Sequence, residues 1–142
     1  MVLFEILSSK FSVCAAGESQ NDCDLKSFLS GLASNLEKEG RRMLGLLKRV
    51  AQRGPDLNPE VCHQIEGKLY QFAQGRIRIL WFYDEGKIII CTHGFVKKTR
   101  KTPDNEKEHA KLIMKKYFEE KQSGPLEKIP WDEVEKNEKK VF

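Results

Sequence analysis

The chain opens on an apolar run from Val2 to Leu7, broken by Glu5, which predicts a short strand. Residues 8–23 are rich in Ser, Ala, Asn and Gly and lack periodicity, so they read as a long inserted loop. Leu25, Phe28, Leu29 and Leu32 then fall at helical spacing, with Asp24 placed to cap the helix. A second stripe follows at Leu36, Met43, Leu46, Leu47 and Val50. Ser34 and Glu37 fit a capping box before it, and Gly54-Pro55 marks its end. Two amphipathic helices joined by a tight turn predict a helical hairpin over residues 24–53.

After a connecting loop at 56–66, the period changes from helical to strand-like. The runs 68–73, 76–83 and 87–96 are rich in β-branched and aromatic residues and are separated at hairpin spacing. They predict an antiparallel meander. Thr102-Pro103 then starts a helix whose buried stripe is Ala110, Ile113, Met114, Tyr117 and Phe118, and Gly124-Pro125 stops it. Residues 126–142 alternate charges with Leu126, Ile129, Trp131 and Val134, which suits a short docked helix or a loose chain. The apolar residues favour a segment that folds back from Pro125 with Trp131 buried. Docking over the helical hairpin would be structural; docking beside the basic block described next would be regulatory.

Charge sharpens this picture. Residues 1–75 carry nine basic and nine acidic side chains, residues 76–118 carry eleven and five, and residues 119–142 carry five and seven. The net +6 of the middle block points to a polyanion, most often nucleic acid, or else to a solvated lysine-rich helix face. The 142 residues suit one domain, 1–121, with a tail at 122–142. No apolar run approaches the roughly 18 residues needed to cross a bilayer. The first ten residues lack a secretory pattern, so a cytoplasmic protein with no membrane association is expected. Cys14, Cys23, Cys62 and Cys91 form no Cys-x-x-Cys pair, which argues against a structural zinc site and for reduced thiols.

Within the last strand and the turn after it stands His93-Gly94-Phe95-Val96-Lys97-Lys98-Thr99-Arg100-Lys101-Thr102-Pro103. This stretch resembles the HGFVKKTxKTP signature of HigB-like, or phage-derived Gp49-like, toxins of the RelE/ParE superfamily. The strand from Arg76 to Tyr83 is similar to a strand of the same family, and the likeness spans about residues 24–121. The resemblance implies an α+β, RelE-like fold: a twisted antiparallel sheet with an N-terminal helical hairpin on one face and a C-terminal helix. It also implies the toxin of a type II toxin–antitoxin pair, a ribosome-dependent mRNA endoribonuclease that stops translation. Such an enzyme would use the ribose 2′-hydroxyl and need no metal or other cofactor. Its partners would be the ribosome, mRNA and a helix-turn-helix, HigA-like antitoxin. Family members often carry Glu-x-Arg where this chain has Gln71-Phe72-Ala73, and tyrosine where it has Ile77.

Metal-free RNA cleavage needs a proton acceptor for the 2′-hydroxyl, cations for the phosphorane-like transition state and a proton for the leaving 5′-oxygen. With histidines only at 63, 93 and 109, expected on a loop, a strand and a helix, a basic cluster is the better candidate than a histidine pair. Arg78 aligns with the strand arginine that RelE-like nucleases set against the scissile phosphate, and its planar fork suits that task. Arg76, two residues away, is expected on the same face and on RNA backbone. Lys98, then Lys97, are candidate proton acceptors, since clustered cations lower one another's pKa; both equally suit a plain RNA-binding rim. Arg100 and Lys101 are expected to bind mRNA or ribosomal RNA. Alternation puts His93 on the face of Cys91 and Phe95, as a packed supporting group and a secondary proton-transfer candidate. His109 and Lys111 are expected in solvent. Two other functions fit the same residues: a nuclease-inactive module that binds nucleic acid or protein, and a ParE-like gyrase poison.

Overall fold

In the computed structural model, residues 1–55 and 58–131 are described. In chain order they form β1 (Val2–Ser8), β2 (Ser12–Gly17), α1 (Asp24–Ser30), a 3-10 turn (Ser34–Leu36) and α2 (Glu37–Arg53). Then come β3 (Cys62–Glu66), β4 (Leu69–Gln74), β5 (Ile77–Asp84), β6 (Ile88–Val96), α3 (Asp104–Lys121) and β7 (Glu127–Pro130). One sheet holds all seven strands in the order β3-β4-β5-β6-β2-β1-β7. The fold is α+β as expected, but the sheet is mixed. The meander β3 to β6 is antiparallel, while β2 runs parallel to β6 and β7 parallel to β1.

The helices cover opposite faces. The α2 stripe of Met43, Leu46, Leu47 and Val50 is buried with Ile77, Ile79 and Trp81 of β5, together with Leu25 of α1. Tyr117 of α3 is buried with Phe82 and Ile90, and Ala110 with Leu69, Leu80 and Phe95. Apolar residues of both sheet faces therefore have a cover, and the result is three layers. At the far end of β5 the Tyr117 hydroxyl donates to Asp84, whose carboxylate also accepts from Lys121 at 2.7 and 2.9 Å. Burial and the bond to Asp84 push the Tyr117 phenol pKa well up, so it stays protonated and keeps donating.

Residues 8–23 depart from the expected loop. Ser12–Gly17 form β2, an inner strand between β6 and β1. Val13, Cys14 and Ala15 are fully buried, which is possible because small side chains face helices on both sides. Burial lifts the Cys14 thiol to about 11, so it acts as a packing group rather than a nucleophile. The connecting loop likewise contains the edge strand β3. The expected caps are replaced: Cys23, Leu36 and Pro103 flank the helices with no side-chain cap bond. Asp24 instead meets His109 at 3.2 Å, and the Thr102 hydroxyl donates to Gln71 at 2.9 Å.

The tail folds back as expected, but as a strand. β7 adds to β1 at the sheet edge opposite β3, and Trp131 is 4 % exposed in the core beneath the hairpin. The Lys26 ammonium of α1 lies 5.8 Å from its ring centre. This is docking on the hairpin side, away from the basic block. Val134 and the rest of 132–142 lie outside the described residues.

Gly94 explains one letter of the signature. A Cβ there would come within 2.4 Å of the Phe28 ring, through which α1 rests on β6. Gly94→Ala is accordingly expected to lower stability by about 1–3 kcal/mol. Urea unfolding followed by circular dichroism checks this; an unchanged midpoint would mean that α1 shifts freely.

Candidate nucleic-acid interface

Arg78 stands on the α3 face of β5, paired across the ladder with Ala73 and Phe95. Its Nη1 donates to the Gly75 carbonyl at 2.7 Å and the Ile77 carbonyl at 2.9 Å, which fixes the side chain against its own turn. Its Nε is buried with no hydrogen-bond partner among the described residues. The edge of the guanidinium that can hold an oxyanion with two parallel bonds thus lacks a protein partner at Nε. Burial lowers the Arg78 pKa and Glu39 opposes the shift; a guanidinium stays charged regardless.

Arg78 lines an open cleft of about 460 Å³. Its floor is Gln71 and Ala73 of β4, its outer wall β3 with His63, Gln64 and Ile65, and its other wall the β6–α3 connection. That connection brings in Lys97, Arg100 and Lys101, and Lys107 joins from α3. Five cations therefore face one volume, with Glu60 as the acid on its rim. The bond from Thr102 to Gln71 ties the basic connection to the sheet. Gln71 and Ala73, where the resemblance predicts a charged pair, both lie in this cleft.

Three expected residues are placed elsewhere. Arg76 does not share a face with Arg78, because it sits in the Gly75-Arg76 turn, where strand alternation has not begun. Its backbone N–H donates to Glu39 of α2 at 2.6 Å, and its guanidinium meets the same carboxylate at 3.3 Å. Gly75, at φ 56°, is needed here, since a Cβ would also strike that carboxylate at 2.5 Å. The bonds from Arg76 hold the Glu39 carboxyl below the ordinary glutamate range. Lys98 is exposed just past the end of β6, outside the cleft lining, whereas Lys97 lies within it.

His93 is the third. Leu80 pairs with His93 and Trp81 with Cys91, so Thr92 is an extra, bulged residue. The bulge breaks the alternation: Cys91 joins the α2-side core, and His93 turns with Phe95 toward α3. There it is 5 % exposed, away from the cleft. Its Nε2 lies 3.2 Å from Glu106 and its Nδ1 3.0 Å from the Thr92 hydroxyl. A ring that donates from Nε2 to Glu106 leaves Nδ1 sharing the single Thr92 hydroxyl proton with the Leu80 carbonyl, 3.2 Å from the same hydroxyl. His109 is exposed, as expected, and stands edge-on to this ring at 4.5 Å.

Burial first, then the charge of His109, lowers the His93 pKa, while Glu106 and Asp24 oppose. A histidine kept neutral in the fold protonates more readily when unfolded. Stability should therefore fall as pH drops below the ordinary value of 6.5, until His93 itself protonates. Urea titrations across that window should show a slope that His93→Gln flattens. Equal slopes in both proteins would place the effect on another group.

A family model described as phage derived protein Gp49-like (DUF891) matches residues 31–115. The chain belongs to the Gp49-like family. At a coarse level this family sits with the RelE/HigB-like toxins and is associated with toxin nucleases, which places the chain as a toxin-like module with an antitoxin partner suggested. No curated protein matches the chain. The Gp49-like match spans α2, β3 to β6 and most of α3, and so contains every cation of the cleft. Strands β1, β2 and β7 lie outside it. Among the described residues no helix is long and apolar enough to cross a membrane.

Sequence reasoning passed over Lys107 in this cleft, and it also passed over His63. Its place between polar neighbours suggested a loop, and edge strands whose two faces are both partly wet carry little alternation.

Proposed function

We propose that this chain is the toxin of a type II toxin–antitoxin pair and cleaves mRNA on the ribosome without a metal, attacking through the ribose 2′-hydroxyl. The observation that carries the reading is five cations around one open cleft, with Arg78 fixed by its own backbone. Arg78 holds the scissile phosphate and stabilises the charge that grows on it. Lys97 stands at the same phosphate, while Arg100 and Lys101 take the neighbouring ones. Lys98 meets RNA from the outer rim. An open, shallow cleft suits a single strand presented by a larger body, which supports the ribosome as the surface that delivers the message. A HigA-like helix-turn-helix antitoxin silences the enzyme in the resting cell.

Induced expression followed by mapping of mRNA 5′ ends tests the proposal. New ends within translated codons, absent from untranslated regions, are expected. Growth arrest without new ends would transfer the reading to a gyrase poison or to a binding module.

A further inference from the structure

We infer that His63 is the proton acceptor for the 2′-hydroxyl, set across the cleft from Arg78; this rests on the nuclease reading above. His63 lies on β3, paired with Gln71, which pairs in turn with Leu80. Arg78 is two residues before Leu80 on β5. Two strand spacings across and two residues along put the Cα atoms about 12 Å apart. At that separation one phosphodiester fits between the two residues. Both residues line the same cleft.

The ring is held by its far nitrogen, as a base requires. Nδ1 lies 3.2 Å from the Pro59 carbonyl, and a carbonyl oxygen only accepts, so Nδ1 carries the proton. With the proton of the neutral ring at Nδ1, Nε2 is the nitrogen left to accept one. The Pro59 carbonyl also fixes the ring and steadies the imidazolium that forms, as the third member of a nucleophile–base–orienter set does. Among the described residues His63 is the one imidazole in this cleft, since His93 and His109 face each other under α3.

The step balances. Nε2 takes the 2′-hydroxyl proton as the 2′-oxygen bonds to phosphorus, and the bond from phosphorus to the 5′-oxygen breaks. The leaving 5′-oxygen takes a proton from the Lys97 ammonium. The products are a 2′,3′-cyclic phosphate and a 5′-hydroxyl. Solvent then returns a proton to Lys97 and removes one from His63.

Single-turnover cleavage of a defined mRNA on translating ribosomes, over a range of pH, tests this in the full-length protein. His63→Gln and His63→Ala should cleave on the order of a hundredfold more slowly, with ribosome affinity and melting temperature unchanged. The acidic limb of the wild-type pH–rate profile should disappear, and added imidazole should restore part of the rate to His63→Ala. Cleavage by both variants at the wild-type rate and pH dependence would overturn the inference and leave the nuclease reading standing. So would loss of the acidic limb in Lys98→Ala with His63→Gln unaffected. No cleavage by the wild-type protein would remove both readings together.

Discussion

Replacing Arg78 by alanine is expected to abolish growth arrest while the protein still folds. The guanidinium acts on charge that appears only in the transition state, and one such contact is worth on the order of 3 kcal/mol, at least a hundredfold in rate. The structural cost is smaller. Two bonds from Nη1 to exposed or half-buried turn carbonyls are lost, and water replaces them, at roughly 1 kcal/mol. Arg78→Lys keeps the charge but loses the fork, so it should recover only part of the rate. The measurement is 5′-end mapping and growth at matched expression, with a urea midpoint for each variant. An Arg78→Ala protein as toxic as the wild type would mean that the phosphate sits elsewhere.

The second large effect is on stability. Trp131 is nearly fully buried and belongs to the same core as the α2 stripe. Trp131→Ala should cost about 3–5 kcal/mol, the range for removing a large aromatic side chain from a packed core. It also removes the ring beside the Lys26 ammonium, which leaves that buried cation in a poorer setting. Trp131→Phe should recover most of the loss. Circular dichroism during urea unfolding reads both variants. A change below about 1 kcal/mol in Trp131→Ala would show that β7 contributes little to the fold.

The elements read correctly from sequence carry either a one-sided apolar stripe or a run of bulky strand formers between clear turns. The α2 stripe has a sharp 3.6-residue period because one side meets the sheet and the other meets water. The runs that became β4, β5 and β6 carry bulky β-branched and aromatic residues between clear turns. β2 escaped because Ser12–Gly17 is buried on both faces by small residues, which leaves no alternation to see. β3 and β7 escaped because short edge strands are polar. In the site, Arg78, Lys97, Arg100 and Lys101 were legible as a basic block and converge in the cleft. His93 is packed beside Phe95 as expected, but Arg76 and the face of Cys91 were misplaced by local geometry: a turn in one case and a one-residue bulge in the other. Neither has a sequence mark strong enough to override strand alternation.

The place of β1 in the sheet orders events in time. Its inner neighbour β2 is a few residues away, but its outer neighbour is β7, so Val2 pairs with Glu127. Contacts of such sequence separation form late, because the loop they close must be paid for in entropy first. During synthesis from the N-terminus, β1 therefore leaves its outer edge open until residues 127–130 have emerged. The cleft strands β3 to β6 are joined by short local turns and form without it. A nascent chain therefore builds its basic cleft before Trp131 closes the far edge, and the sheet gains its last strand only once residues 127–131 are free to pair.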